Sequence, residues 1–138
     1  MKTLMKKMSN IDLGLLILRL AVGGLMLPHG VTKLFNGTEK IAEMLVEKGL
    51  PGIMAHGVII GEVIAPLLIV IGFFTRPASA ILAFTMVMSI YLVFGWAGFQ
   101  LNQHGGITVE LNLLYLFGAL ALMFTGAGRY AVSKNVWS

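Results

Sequence analysis

Four ionisable residues lie in stretches of sequence that are otherwise apolar: Arg19, His29, Lys33 and Glu62. An arginine at the centre of a membrane helix costs at least about 2.5 kcal/mol, so such residues face protein or a water-filled cavity and mark proton or substrate pathways. Together these side chains offer hydrogen-bond donors to a ligand and groups that take up or deliver a proton. The pattern indicates a polar site inside a bundle of membrane helices.

The spacing of these residues predicts which of them meet. Arg19, Met26, His29 and Lys33 follow helical steps of three and four, so they share one face of the first apolar stretch. At 1.5 Å per residue, Arg19 lies about 12 Å from one membrane surface and Glu62 about 10 Å from the other, a gap on the order of 8 Å across 30 Å of hydrocarbon. Long side chains or a bridging water can close such a gap. We therefore predict an intramembrane pair between Arg19 and Glu62.

A second group is predicted near the outer surface above that pair, and it comprises His29, Lys33, His104 and Glu110. Two histidines without a third ligand at helical spacing do not predict a metal site. Each candidate also has a structural interpretation. The pair of Arg19 with Glu62 can simply fix helix register, since buried pairs are not evidence of activity. Lys33 can extend its ammonium to the membrane interface, which is the simpler interpretation of that residue.

Composition supports a membrane protein. Hydrophobic residues make up 57% of the chain and charged residues 12%, against roughly 25% charged residues in a typical soluble domain. There is no cysteine, so any redox chemistry must come from a bound cofactor or from a partner protein. The net charge of +4 does not indicate nucleic acid binding, because the basic residues lie beside membrane segments and form no cluster interleaved with aromatic residues.

Hydropathy divides the chain into four predicted membrane spans, at about 11–34, 55–74, 78–99 and 107–125. The first apolar run is longer than a signal-peptide core and lacks a small-residue cleavage site, so we expect it to be retained. Between the first two spans, Thr38 is a candidate cap for a short amphipathic helix on the membrane surface. A solvated helix packed on the span ends is the alternative. We predict an all-α fold, a four-transmembrane-helix bundle in a single domain of residues 1–138.

Four spans put both termini on one side of the membrane. A cytoplasmic location of the termini places six basic residues inside and three outside, which agrees with the positive-inside rule. The six are Lys2, Lys6, Lys7, Arg76, Arg129 and Lys134, and the three are Lys33, Lys40 and Lys48. Gly57 and Gly61 have the small-xxx-small spacing that suits either internal packing or a homo-oligomer.

Several motifs, in order along the chain, resemble the DoxX family of small bacterial membrane proteins. They are R-L-A-V-G-G from Arg19, H-G-V-T-K from His29 to Lys33, G-E at Gly61 and Glu62, I-G-F-F-T-R-P from Ile71, and T-G-A-G-R from Thr125. The resemblance covers roughly residues 15–129, and the C-terminal tail departs from the family pattern. It implies a four-helix protein of the bacterial inner membrane, and it matches Arg19, His29, Lys33, Glu62 and Arg76 to motif positions. Some relatives are subunits of thiosulfate:quinone oxidoreductase, and others associate with redox or detoxifying partners.

Two functional hypotheses follow. The first is a redox-associated membrane subunit that binds a quinone between the helices near Arg19, His29 and Glu62. A quinone gains protons as it gains electrons, so its site needs a hydrogen-bond donor and a group that delivers protons. Electrons would then come from a partner protein. The second hypothesis is a small carrier, or an anchor and assembly protein for membrane partners, since intramembrane ionisable residues suit a substrate pathway equally well.

Overall fold

The computed structural model describes residues 10–133 and 135–138, which form five helices and no β-strand. This confirms the predicted all-α class. Lys2, Lys6, Lys7 and Lys134, on which the predicted orientation partly depends, lie outside the described residues. The helices are α1 (Ile11–Asn36), α2 (Glu39–Glu47), α3 (Gly52–Ile71), α4 (Thr75–Phe99) and α5 (Glu110–Thr125).

Three helices are long and apolar enough to cross a membrane. With 26, 20 and 25 residues, α1, α3 and α4 measure about 39, 30 and 38 Å, and a hydrocarbon core is about 30 Å thick. The fourth, α5, has 16 residues and measures about 24 Å. The helix begins three residues after the approximate start of the predicted span, because Ile107 bridges to Leu101 and Thr108 donates its backbone N–H to the carbonyl of Gln100 at 3.0 Å. A fourth crossing and a single domain stay predictions.

The short helix expected between the first two spans is present as α2, where Leu45 is buried against the bundle. Thr38 stands at its N-cap position, but its side chain makes no capping hydrogen bond. The next predicted boundaries shift by a few residues. α3 ends at Ile71 because Gly72 and Phe74 both take left-handed backbone angles, with φ of 76° and 47°. α4 follows at once from Thr75.

The core of the bundle forms where α1 packs on α3 and α4 packs on α5. All four helices contribute buried apolar side chains to one cluster. Its members include Val22, Met26, Ala65, Ile69, Leu82, Met86, Tyr115, Ala119 and Leu122.

Small residues let the helices approach closely. A Cβ atom on Gly23 would lie 2.7 Å from the carbonyl oxygen of Pro66, and one on Gly30 would collide with the backbone carbonyl of Glu62. Gly61 packs in the same way against Thr85 of α4, whereas a Cβ on Gly57 would meet no atom of the described structure within 4 Å. Of the two glycines with small-xxx-small spacing, Gly61 therefore serves internal packing.

A π-helical turn, Ile60–Ile64, carries Glu62 in the middle of α3. Pro66 has no backbone N–H, so it cannot donate the hydrogen bond that the carbonyl of Glu62 would receive in an α-helix. A π-helical turn instead pairs residues five apart. The irregular backbone brings the carbonyl of Glu62 against Gly30 of α1.

The contact between Gly30 and Glu62 predicts a position-specific effect of an added methyl group. Gly30→Ala should force backbone atoms of α1 and α3 apart, and overpacking of this kind costs about 1–3 kcal/mol. The matched control is Gly24→Ala on the same helix, since a Cβ there would meet nothing within 4 Å. Thermal unfolding of the purified proteins in detergent should show a lower Tm for Gly30→Ala only. Equal Tm values for the two variants would contradict the close approach.

Candidate functional site

The guanidinium of Arg19 is buried and bound entirely by backbone carbonyl oxygens. Nε donates to Ile69 O and Nη2 to Val70 O, both at 2.9 Å. Nη1 donates to Ala127 O at 2.9 Å and to Tyr130 O at 2.6 Å. The carbonyls of Ile69 and Val70 belong to the last turn of α3, which has no helical donors of its own. Arg19 therefore caps α3 and ties it to the C-terminal segment (residues 126–133 and 135–138).

The predicted pair between Arg19 and Glu62 is wrong. Glu62 lies seven residues before Ile69 on α3, about 10 Å away along the helix axis. Because α3 ends at Ile71, the carbonyl groups of its last turn lie at the level of Arg19 and satisfy the guanidinium. Carbonyl oxygens at a helix C-terminus carry partial negative charge, so they stabilise a cation without an acidic partner.

Glu62 forms an ion pair with Lys33 instead. Lys33 Nζ lies 2.8 Å from Glu62 Oε1, and the side chains are 37% and 3% exposed, respectively. Lys33 is one helical turn beyond Gly30, so the close backbone contact there brings its side chain within reach of the carboxylate. The interpretation of Lys33 as a side chain that only extends to the interface is therefore wrong.

The other carboxylate oxygen of this pair is free. Glu62 Oε2 is buried and has no hydrogen-bond partner among the residues that the structure describes. A buried carboxylate oxygen without a partner costs free energy, and such groups in folded proteins usually meet a ligand, a proton or water. This atom distinguishes Glu62 from the fully bonded Arg19.

An apolar cavity of about 350 Å³ lies on one side of the ion pair, between α2, α3 and α4. Apart from Lys33 and Glu62, its walls are almost entirely apolar, with Ile41 and Met44 from α2 and Met88 from α4. Phe84 also lines it and is exposed on the outer surface of the bundle. The cavity therefore faces the lipid-exposed side of α4.

A polar cavity of about 230 Å³ lies on the other side of the pair, between α1, α4 and α5. It contains the side chains of His29, Ser89, Asn112 and Tyr115 as well as the ion pair. Asn112 Nδ2 donates to Ser89 Oγ at 3.3 Å, and the rings of His29 and Tyr115 meet edge to face at 6.2 Å between centroids. Since Lys33 and Glu62 line both cavities, the ion pair separates an apolar space from a polar one.

The remaining sequence candidates lie elsewhere. Arg76 donates to the last carbonyls of α5, at 2.8 Å to Phe124 O, 3.2 Å to Met123 O and 3.3 Å to Thr125 O. His104 is exposed in the loop before α5, and Glu110 is exposed at the first residue of α5. None of these three candidates lines either cavity.

Of the predicted site, His29, Lys33 and Glu62 meet, whereas Arg19, Arg76, His104 and Glu110 do not join them. Ser89, Asn112 and Tyr115 were missed as site residues. Of these three, Asn112 is the residue that the sequence itself indicates, because it is an amide near the start of an apolar helix. Across residues 10–133 and 135–138, no group of three or more histidine or acidic side chains could hold a metal ion.

Comparisons with known proteins agree with the motifs. The sequence model of the DoxX family matches residues 14–95. A Bacillus subtilis (strain 168) protein named "Putative oxidoreductase CatD" is 30% identical over 128 residues, which cover 93% of this chain and 90% of that protein. A Haemophilus influenzae protein described as an uncharacterized protein is 27% identical over 125 residues, 88% of this chain and 89% of that protein. No solved structure matches the chain significantly.

The bonding of Arg19 predicts that lysine cannot replace it. An ammonium lacks the planar fork that reaches four carbonyls in two segments. Each buried acceptor left unpaired costs roughly 1–3 kcal/mol, so Arg19→Lys should lower the free energy of unfolding by about 2–4 kcal/mol. Residues 126–138 should also become more sensitive to limited proteolysis.

The matched control for this prediction is Arg129→Lys, because the Arg129 side chain is exposed and contacts Tyr130. The Tm and the rate of proteolysis of Arg129→Lys should be close to those of the unsubstituted protein. If the two variants behaved alike, Arg19 would not hold the C-terminal segment to α3.

The Lys33 and Glu62 pair predicts strong coupling between two substitutions. Lys33→Met leaves a buried carboxylate unpaired and should cost about 1–3 kcal/mol, less than a fully buried pair because the Lys33 side chain is partly exposed. The double variant Lys33→Met, Glu62→Leu should recover much of this loss, since it removes both charges. Unfolding in detergent measures the coupling, with the exposed Lys40→Met as control. Additive effects of the two substitutions would contradict the pair.

Proposed function

The chain belongs to the DoxX family, and from this premise we propose that it is a redox-associated membrane protein that binds a quinone in the apolar cavity. The observation that carries the proposal is Glu62, a buried carboxylate at the border of an apolar cavity, with one oxygen paired to Lys33 and the other without a partner among the described residues. The name of the relative "Putative oxidoreductase CatD" supports the redox part of the proposal.

The residues of the cavity suit a quinone. Its volume of about 350 Å³ falls within the roughly 300–1,000 Å³ typical of small-molecule sites, which are mainly apolar with a few polar groups that fix orientation. A bound quinone supplies two-electron, two-proton redox chemistry. Lys33 Nζ has donors beyond the one directed at Glu62 and is suited to hold a quinone carbonyl oxygen. Glu62 Oε2 is suited to accept a hydrogen bond or a proton from the hydroxyl of the reduced form.

The position of the cavity also suits a lipid-soluble ligand. Ile60, Ile81 and Phe84 line it and are at the same time exposed on the surface of the bundle. A ligand that moves within the bilayer can therefore enter between α3 and α4 without crossing water. The amphipathic helix α2 contributes Ile41, Met44 and Leu45 to the opposite wall.

The electron donor or acceptor belongs to the proposal as a redox partner protein, since the chain has no cysteine with which to carry out thiol chemistry. We place the protein in a bacterial inner membrane with both termini in the cytoplasm. This orientation rests on the sequence count of six basic residues against three. Of the six, Arg76 and Arg129 are described, and both lie near the end of the bundle that carries the C-terminal segment.

Quinone binding is testable by mass spectrometry of small molecules extracted from protein purified with its native lipids. Quinone should be retained by the unsubstituted protein and lost from Glu62→Gln and from Met88→Trp, which fills the apolar cavity. Val87→Trp is the matched control for the second substitution, since Val87 is the neighbouring residue on α4 and faces outward. Arg19→Lys should keep its quinone if it remains folded, because Arg19 lies outside the cavity.

Two results would count against the proposal. One is the absence of quinone from the native preparation together with no binding of an added short-chain quinone. The other is equal quinone retention by Met88→Trp and Val87→Trp. Either result would favour the role of a carrier or of an anchor for membrane partners.

A further inference from the structure

Glu62 faces two environments of opposite character. The apolar cavity and the polar cavity share Lys33, Glu62, Ser89 and Val93 in their linings. An ionisable group inside a membrane bundle that contacts a polar cavity is the usual arrangement in proton relays. A quinone in the apolar cavity leaves the polar cavity without a role.

The polar cavity has the size and lining that water needs. A buried water occupies about 30 Å³ and requires two to four polar partners, and the cavity measures about 230 Å³. Its polar side chains come from all four of the longer helices, and they are His29, Lys33, Glu62, Ser89, Asn112 and Tyr115. Several water molecules can therefore be bonded there at once, and the cavity borders Glu62, whose Oε2 has no hydrogen-bond partner among the described residues.

The polar cavity lies at the end of the bundle where α1 ends, α2 follows and α5 begins. We call it the α2 end. Leu111 and Asn112, in the first turn of α5, line the cavity, and His29 lines it while exposed to the surface. The neighbouring Glu110 is a charged, exposed residue, which indicates an aqueous environment at this level.

Towards the opposite end, the cavity meets the apolar core. Met26, Met86 and Tyr115 form its floor and are buried. Below them the buried side chains of Val22, Leu82, Ala119 and Leu122 belong to the same packed cluster. Dense apolar packing of this kind excludes water. Glu62 thus borders the polar cavity at the α2 end and is separated from the opposite end by the apolar core.

We propose that the polar cavity is a hydrated proton path that connects Glu62 with the aqueous surface at the α2 end, with His29 and Asn112 along its wall. Protons pass between surface water and the Glu62 carboxylate through water held by these side chains. The inference rests on the proposed function in one respect. A ligand in the apolar cavity would take up or release its protons through Glu62, and these protons would come from or go to water at the α2 end only. Hydration of the polar cavity itself does not depend on a quinone.

Cysteine accessibility tests the path directly, because the chain has no cysteine of its own. Single variants carry Asn112→Cys in the polar cavity, Met88→Cys in the apolar cavity, Phe117→Cys on the outer surface of α5 and His104→Cys in the exposed loop. The probe is a charged, membrane-impermeant methanethiosulfonate reagent, which modifies thiols that contact water. It is added separately to spheroplasts and to inside-out vesicles.

The path predicts a defined pattern. Asn112→Cys should react at a rate close to that of His104→Cys and from the same side of the membrane. Met88→Cys and Phe117→Cys should react several-fold more slowly from either side. A rate for Asn112→Cys as low as that for Phe117→Cys, or reaction from the side opposite to His104→Cys, would overturn the proposal.

A second measurement follows Glu62 itself. Carbodiimides modify carboxyl groups, so a water-soluble and a lipid-soluble carbodiimide report on the two routes to Glu62, read by mass spectrometry of the peptide that contains it. Asn112→Phe, which fills the polar cavity, should slow the water-soluble reagent several-fold and leave the lipid-soluble one unchanged. Met88→Trp, which fills the apolar cavity, should slow the lipid-soluble reagent several-fold and leave the water-soluble one unchanged. Equal effects of both substitutions on both reagents would overturn the proposal, whatever the outcome of the quinone experiment.

Discussion

The close contact of α1 with α3 is the constraint on which both ends of the bundle depend. Gly23 and Gly30 let the two backbones approach until a methyl group no longer fits between them. At one end of this contact, Arg19 reaches the last carbonyls of α3, and at the other, Lys33 reaches Glu62. In a membrane, helix association depends on such close packing and on interhelical hydrogen bonds, because lipid is as apolar as the side chains. Glycine on α1 is therefore what allows two long cationic side chains to find partners on the same neighbouring helix.

The two cations are satisfied in different ways, and the difference separates a structural role from a candidate site. Arg19 is bonded by carbonyls from α3 and from the C-terminal segment, and no acidic residue takes part. Arg76 likewise donates to backbone carbonyls, through its two terminal guanidinium nitrogens, at the end of α5. A buried ion pair alone would be weak evidence of function. The Lys33 and Glu62 pair differs because one carboxylate oxygen has no partner in the described structure and because two cavities meet at the pair.

Hydropathy was sufficient to predict the apolar helices, because α1, α3 and α4 each present an apolar surface long enough for a bilayer and α5 is a shorter apolar helix. Hydropathy was not sufficient to predict the residues at which the helices end. The break after Ile71 depends on the left-handed backbone of Gly72 and Phe74, and without it the carbonyls that bind Arg19 cannot be located. An estimate of depth placed Arg19 and Glu62 within reach of each other, whereas the packing of Gly30 shows that Lys33 is the nearer cation. Ser89, Asn112 and Tyr115 come together only when α4 and α5 are in contact, so their grouping depends on helix rotation, which periodicity alone does not predict.

The irregular turn in α3 links the backbone to the chemistry of this region. Pro66 removes the donor for the carbonyl of Glu62, and the chain responds with the π-helical turn Ile60–Ile64. Non-helical backbone at membrane depth is tolerated where it is buried in protein or lines a water-filled cavity. Here the first condition applies, since the Glu62 carbonyl is covered by Gly30, and the Glu62 side chain borders the polar cavity. The proline, the glycine and the carboxylate therefore form one unit, in which a backbone irregularity is stabilised by α1 and holds an ionisable group between apolar and polar space.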